Sequence, residues 1–320
     1  KKGLPVETNR LIITTGSLQA INILGKAFLD PGDSVIVESP SFIGALSAFR
    51  SYQANLVSVP LNGDGMDIEA LKNTLESDGP KPKFLYYSPN FHNPAGIIYS
   101  KGVKQQLIEL LRGKDIPIIE DDVYSDLYFY EDDVPKMELI KSMNPEGIDV
   151  CFTGSFSKIL GPGLRLGWML VPEHIYNKCE LIKQSIDACS PSISQVIADK
   201  FIRNGYINKY IAEVREEYKK RGLTMIEALD KYLPEGTTYE KPRGGFYTWI
   251  KLPKGCDSTD VLKKAIEKGV VFVTGKTFDP EGIKNEHIRI SFCNTDVDNI
   301  KRGVPIIAEA ISITKKLSRV

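Results

Sequence analysis

The segment Gly154-Ser155-Phe156-Ser157-Lys158-Ile159-Leu160-Gly161-Pro162-Gly163-Leu164-Arg165-Leu166-Gly167-Trp168 follows a short apolar run, Val150–Thr153, that reads as a buried strand. A lysine therefore stands directly after a strand, flanked by the hydroxyls of Ser155 and Ser157, with a Gly/Pro loop and then Arg165 behind it. A solvated lysine at a strand end has no special chemistry. A partly buried one has a lowered pKa and can attack an aldehyde. Which of these Lys158 is depends on what the rest of the chain brings to it.

Upstream, short β-rich runs alternate with helical patterns. Leu11–Thr14, Ser34–Val37, Leu56–Val59, Phe84–Tyr87, Pro117–Ile119, Val150–Thr153 and Leu166–Val171 read as strands, and Leu18–Phe28, Gly44–Phe49, Ile68–Leu75 and Val103–Leu111 as helices. Such alternation predicts an α/β domain on a largely parallel sheet. The last two strands are joined by a loop instead of a helix, so an antiparallel strand is expected there. A long helical stretch, Gln195 to Tyr232 with Gly205 as a break, leads into strands at Phe246–Leu252 and Ile288–Phe292 and helices at Thr259–Lys268 and Asn299–Leu317. The expected organisation is a large domain over residues 1–200 and a smaller α+β domain over 201–320, with a hinge near 190–210. Gly3 reads as the end of a helix, so the chain is expected to begin in mid-domain.

Several other strand ends carry chemistry. Ile118-Ile119-Glu120-Asp121-Asp122-Val123-Tyr124 runs from an apolar strand straight into acids, at the strand ends where open α/β sheets gather ligands. Asp121 or Asp122 could equally cap a helix. A carboxylate in that place can also keep a pyridine nitrogen protonated. Thr15-Gly16-Ser17-Leu18-Gln19-Ala20 opens a helix whose free N–H groups suit a phosphate. Asn93, held before Pro94, is either a plain turn or an amide donor.

Taken in order, Gly16-Ser17-Leu18-Gln19, Pro40-Ser41-Phe42, Asn93-Pro94-Ala95-Gly96, Asp121-Asp122-Val123-Tyr124, Ser155-Phe156-Ser157-Lys158, Arg165 and Arg289 resemble the fold-type I, pyridoxal phosphate (PLP)-dependent aminotransferases of class I/II. The resemblance runs from about Leu11 to Phe292. Gly154–Trp168 and Gly244-Gly245-Phe246-Tyr247-Thr248-Trp249 bring it nearest to 2-aminoadipate-type aminotransferases and to the aminotransferase-like domains of MocR-type regulators.

The resemblance implies a role for each residue. Lys158 carries PLP covalently and then moves the substrate's α-proton, a base beside the carbon it must deprotonate. Asp121 holds the ring nitrogen, Tyr124 and Asn93 the ring's 3-oxygen, and Phe42 the ring face, core packing being the alternative for Phe42. Ser17, Leu18, Ser155, Ser157 and Arg165 hold the phosphate. Arg289, in the alternating strand Ile288-Arg289-Ile290-Ser291-Phe292, clamps the substrate α-carboxylate in a forked geometry with help from Asn93. The implied reaction moves an amino group from an L-amino acid (2-aminoadipate, aromatic or branched aliphatic) to a 2-oxo acid such as 2-oxoglutarate, in a homodimer. It also implies an N-terminal portion ahead of residue 1, carrying an arm over the site, and a chain impaired without it.

Composition narrows the alternatives. The 320 residues hold 41 Lys+Arg against 41 Asp+Glu, a net charge of zero that argues against nucleic-acid or membrane-surface binding by this chain. No apolar run reaches the roughly 18 residues of a membrane helix. Cys151, Cys179, Cys189, Cys256 and Cys293 are scattered without a CxxC pair, which reads as reduced thiols in a cytoplasmic protein without a structural metal. Ser155–Lys158 also fits SxxK, but no Ser-Asp-Asn or Lys-Thr-Gly follows. Gly275-Lys276-Thr277 resembles a P-loop end, but Val270 stands where the loop needs glycine. The remaining rival is a regulator in which this fold senses an effector and a DNA-reading segment lies upstream.

Overall fold

The computed structural model describes residues 3–4, 10–143 and 145–317. The elements of the first half are β1 (Leu11–Thr14), α1 (Ser17–Phe28), β2 (Ser34–Ser39), α2 (Ile43–Ser51), β3 (Asn55–Asn62), β4 (Gly65–Met66), α3 (Ile68–Glu76), β5 (Leu85–Tyr87), α4 (Lys101–Leu111), β6 (Ile118–Asp121), α5 (Ile140–Met143), β7 (Val150–Ser155) and β8 (Gly167–Leu170). They form one eight-stranded sheet in the order β1-β8-β7-β6-β5-β2-β3-β4. The centre, β7 through β3, is parallel, and β8 runs antiparallel to both β7 and β1. This is the expected mixed sheet, with the antiparallel strand where the helix between strands is missing.

Both faces of the central strands are covered, which is why they read as continuous apolar runs without polar alternation. Val35, Val37, Phe84, Tyr86, Ile119 and Cys151 point to one face, under α1, α2 and the later helix α6 (Glu173–Asp187). Their immediate neighbours Ile36, Leu85, Ile118 and Val150 point to the other, under α3 and α4. The strand order turns back at β2 and β5, which are adjacent in space but not in sequence. A crevice is expected beyond the carboxyl ends of strands at such a point.

The second half continues with α7 (Ser192–Arg203), α8 (Tyr206–Tyr232), β9 (Thr238–Tyr239), β10 (Tyr247–Lys251), α9 (Ser258–Ile266), β11 (Val273–Thr274), β12 (His287–Ser291) and α10 (Val297–Leu317). The break expected at Gly205 lies between α7 and α8, with a left-handed φ of 75°. The four strands form an antiparallel sheet, β11-β12-β10-β9. Its core joins Ile250, Ile288 and Ile290 to Val261 and Ala265 of α9 and to Ile300, Val304, Ile307 and Ile311 of α10. The α10 residues recur at the three-and-four spacing of one helix face.

One expectation needs adjustment. Helix α6 covers residues that carried no element in the sequence reading. Its buried stripe is Ile175, Cys179 and Lys183, so the apolar period stops after two residues and a lysine finishes it. Gly275-Lys276-Thr277 lies in a 3-10 turn after β11, in keeping with the rejection of a P-loop there. The helix expected to end at Gly3 lies largely on residues outside those described.

Glycine at 222 sets how closely α8 approaches the first half of the chain. A Cβ there would come within 2.6 Å of the ring of Phe129, which is buried and packs on Phe292. On propensity alone, Gly222→Ala should stabilise a helix interior by about 1 kcal/mol. The buried ring has no free space to take the methyl, and overpacking costs about 1–3 kcal/mol. Urea unfolding of Gly222→Ala should therefore show a net loss of stability, and adding Phe129→Leu should recover most of it.

Candidate active site

Three strand ends and two helix starts converge on a cavity of about 370 Å³. Ser17 and Leu18 from α1, Phe42 and Ile43 from the start of α2, Ser88 after β5, Asp121 at the end of β6 and Ser155 at the end of β7 line it. Loops add Asn93, Val123, Tyr124, Ser157, Lys158, Pro162 and Arg165, and the four-stranded sheet adds Tyr247 and Arg289. Every site residue expected from the sequence borders this one space.

Lys158 is half-buried, and its Nζ lies 5.8 Å from the Tyr124 ring centre and 5.4 Å from that of Phe246. Among the described residues no carboxylate pairs with it. Burial lowers the pKa of its ammonium, and the guanidiniums of Arg165 and Arg289 push the same way against the opposing pull of Cys293 and Asp121. It is the less hydrated kind of amine, with more of its free base present near neutral pH.

Asp121 is buried, and the structure separates it from Asp122. Tyr86 Oη donates to Asp121 Oδ2 at 2.9 Å and Thr153 Oγ1 donates to Oδ1 at 2.7 Å. Asp122 instead accepts from Asn90 and from Ser125, in the turn that follows β6. Burial pushes the Asp121 carboxyl up to about 6, the donors Thr153 and Tyr86 holding it down in part and the nearby Asp122 and Glu38 charges adding to the rise. Tyr124 is also buried; its hydroxyl lies 3.5 Å from that of Tyr247, and burial holds its pKa well above 10.

The start of α1 is an anion cradle. Gly16 offers no side-chain cap, and the first turn carries no acid, so the N–H groups there are left for a ligand. A Cβ on Gly167 would stand 2.7 Å from the Gly16 carbonyl carbon and 2.8 Å from Ser17 N, so glycine alone lets β8 lie this close to the helix start. A Cβ on Gly16 would meet the Arg165 guanidinium at 2.7 Å, and that guanidinium reaches Ser157 Oγ at 3.4 Å.

Across the cavity, Arg289 donates from Nη1 to Asn93 Oδ1 at 2.8 Å and lies over the Tyr247 ring at 4.1 Å. Its Nε is buried with no hydrogen-bond partner. That is a buried charged donor without a partner, on a residue that lines the cavity. The strand register explains the placement: β10 and β12 pair Trp249 with Arg289, so Tyr247 and Arg289 fall on the same face. Phe42 is half-buried, both packed on the core and lining the cavity, and Gly44 leaves room for its ring. Tyr247 was given no role in the sequence reading, where it stood only within the Gly244–Trp249 phrase that carries the family resemblance. Tyr86, Thr153 and Ser88 were missed altogether, since nothing in a buried strand marks one hydroxyl as facing a carboxylate.

A half-buried amine with no carboxylate partner, a buried acid, an uncapped helix start and a guanidinium with one unpartnered N–H around one space fit PLP with its aldehyde, ring nitrogen and phosphate, and a substrate carboxylate beside it. The class of protein so defined is a PLP-dependent enzyme of fold type I. The chain belongs to the class I and II aminotransferase family, whose model matches residues 1–307. It is similar to aromatic-amino-acid aminotransferase 1 of Thermococcus litoralis, 37% identical over 96% of this chain and 74% of that one. It is also similar to 2-aminoadipate transaminase of Thermus thermophilus, 33% identical over 96% of this chain and 76% of the other. Among solved structures, kynurenine aminotransferase of Pyrococcus horikoshii, in complex with PMP, superimposes with a TM-score of 0.91 at 39% identity, covering 95% of this chain and 75% of that one. A helix-turn-helix regulator of Bacillus subtilis is 32% identical over 94% of this chain but only 61% of its own length. The protein is a PLP-dependent transaminase that acts on small amino and 2-oxo acids, and of the two readings weighed from the sequence the enzyme is the better supported.

The raised Asp121 pKa gives a test on the cofactor-free protein. Unfolded, the carboxyl ionises at its ordinary 3.8; folded, it holds its proton to about 6. Its stabilising contribution is therefore full below pH 4 and is lost as the pH rises through 6. That loss is about 3 kcal/mol for a gap of this size. Asp121→Asn cannot ionise, so its melting temperature should gain on that of the wild type between pH 4 and 7 and run parallel above that. A constant difference across the range would contradict a buried, unpaired carboxyl.

Proposed function

We propose that the residues around the cavity divide the work of transamination as follows. Lys158 holds the cofactor and, once displaced by substrate, serves as the base and acid that moves the α-proton. The combination that carries this reading is Lys158 without a carboxylate partner, Asp121 buried, and Arg289 Nε unpartnered, all on one cavity. PLP, when bound, supplies the aldehyde for that amine and a ring that accepts electrons from the substrate carbon. Asp121, fixed by Tyr86 and Thr153, keeps a proton on the ring nitrogen. Tyr124 and Asn93 donate to the ring's 3-oxygen, and Phe42 lies against the ring face. Ser17, Leu18, Ser155, Ser157 and Arg165 bind the phosphate. Arg289 turns its guanidinium edge to the substrate α-carboxylate, with Asn93 and the Tyr247 ring fixing its orientation.

The amino donor is an aromatic L-amino acid and the acceptor a 2-oxo acid such as 2-oxoglutarate. The apolar lining of Leu18, Phe42, Ile43, Val123, Pro162 and Tyr247 supports the aromatic donor, as do the names of two of the relatives. The working unit is a homodimer. Leu181, Ile186, Ile193, Val196 and Ile197, exposed on α6 and α7, support a large self-contact there. A cytoplasmic setting agrees with five free cysteines. The division at residue 200 into a large and a small domain agrees with the separate core of the four-stranded sheet, which closes over substrate in this reading.

Lys158→Ala should lose the visible absorbance of the bound cofactor and about 10²–10⁴-fold or more of its turnover, the range of a general base. Arg289→Lys keeps the charge but not the fork, so KM for donor and acceptor should rise about tenfold while kcat changes less. With 2-oxoglutarate as acceptor, kcat/KM should be higher for L-phenylalanine and L-tyrosine than for L-2-aminoadipate. The reverse order would overturn the donor assignment.

A further inference from the structure

Below the cavity, and not lining it, lies a buried polar group built on Glu38 and His92. Both side chains are fully buried. Glu38, near the end of β2, accepts from Tyr99 Oη at 2.6 Å, from His92 Nε2 at 3.0 Å, and from Ser88 N at 3.2 Å to each of its oxygens. His92 Nδ1 accepts the Ala95 N–H at 3.1 Å. A nitrogen that accepts carries no proton, so the ring is the neutral tautomer with its hydrogen on Nε2, aimed at Glu38. The backbone closes the same turn from both sides: His92 N donates to Ile97 O at 3.0 Å and Gly96 N to His92 O at 2.6 Å.

The turn so fixed contains Asn93, the residue that meets Arg289 at 2.8 Å. Ser88, held by the same carboxylate, lines the cavity and donates its hydroxyl to the Asp121 backbone carbonyl at 3.1 Å. A buried carboxylate is costly, and an apolar side chain of that size would serve packing better. Only an acceptor-only group can receive donors from Tyr99, His92 and Ser88 together; an amide in its place would turn an N–H₂ toward one of them.

We propose that Glu38 and His92 are positioning residues for transamination: the carboxylate holds the imidazole, the imidazole holds the 92–97 turn, and the turn fixes Asn93 against Arg289. This rests on the assignment of Asn93 and Arg289 made above. Neither Glu38 nor His92 touches cofactor or substrate; each acts through Asn93.

The test uses the PLP-loaded protein and two readouts that do not need turnover. One is the pH midpoint of the bound cofactor's absorbance, which Asn93 sets by its bond to the ring oxygen. The other is the Kd of 3-phenylpropanoate, a carboxylate without an amino group, read from the same absorbance. His92→Ala should weaken 3-phenylpropanoate about tenfold, the change expected for losing one hydrogen bond to a charged group, and move the midpoint by about one pH unit. His92→Gln, which can still donate to Glu38 and accept from Ala95, should restore both. Tyr99→Phe removes a Glu38 donor without touching the turn, and should lower the melting temperature while leaving both readouts in place. Wild-type values in a folded His92→Ala would overturn the proposal, as would equal shifts in Tyr99→Phe. If His92→Ala does not fold, the isosteric Glu38→Gln tests the same link, and wild-type values there overturn it equally. Asn93→Ala separates the two levels. If it shifts both readouts and His92→Ala shifts neither, the positioning role alone fails; if Asn93→Ala shifts neither, the assignment of Asn93 fails and the proposal with it.

Discussion

A carboxylate kept out of water without a cation beside it is the constraint on which the rest of the structure turns. Asp121 ends a strand buried on both faces, and its nearest donors are the hydroxyls of Tyr86 and Thr153. Hydroxyls satisfy oxygen lone pairs but do not neutralise charge, which is why burial still pushes the group up to about 6. A parallel sheet makes such a position possible. Its central strands have no solvent face, and only at their carboxyl ends can a polar side chain leave the core and still be shielded from water. The same geometry delivers Ser155 one strand away and Ser88 on the other side, so a ligand with a cationic ring nitrogen would find its counter-charge already oriented.

The opposite wall of the cavity depends on a different element of chain logic. Arg289 comes from the four-stranded antiparallel sheet, far along the sequence from Lys158, and is brought in by packing instead of by local structure. Phe246 meets Tyr124 edge to face at 5.4 Å between ring centres, and Ser41 N donates to Phe278 O at 2.9 Å, while the Phe278 ring lies 4.7 Å from the Arg289 guanidinium. A shift of the small sheet would therefore carry Arg289 and Tyr247 together relative to Lys158 and Asp121. Arg289 and Lys158 therefore border one cavity only when both sheets are formed.

How much of this could be read beforehand follows from the same distinction. The strands that became β2, β5, β6 and β7 were legible because fully buried strands are short unbroken apolar runs bounded by turns, and several of the residues that border the cavity lie at or just beyond their ends. Lys158, Asp121 and Ser155 needed only the strand end to be placed. Helix α6 was not legible, because its buried face is completed by Lys183, whose ammonium pairs with Asp187 at 2.6 Å and so stands where a hydrophobic residue would have marked the period. That pair matters beyond α6: Asp187 also accepts from Thr15 and Gln19 at the entry to α1, tying a helix with no clear sequence signal to the uncapped helix start beside the cavity. Asp121 was preferred to Asp122 only through the family resemblance, and the hydroxyls of Tyr86 and Thr153 could not be read at all. The hydroxyls depend on which face of neighbouring strands meets which, and register is a property of the assembled sheet.

These features share a thermodynamic character. Lys158 has no counter-ion among the described residues, Arg289 Nε is buried without an acceptor, Asp121 is buried without a cation, and the first turn of α1 has no cap. Each is a local loss that a structure selected only for stability would have removed, with an apolar side chain, an Asn or a capping Ser. Their losses are of complementary sign and lie around one space: an amine and a carboxyl from the large sheet, a guanidinium on the opposite wall, a positive helix end at the edge. A single ligand carrying an aldehyde, a basic ring nitrogen and a phosphate, with a carboxylate substrate beside it, can relieve all of them at once. Folding energy forgone at scattered points is thereby recovered as binding energy at one, which ties the stability of this fold to the cofactor its site is shaped to hold.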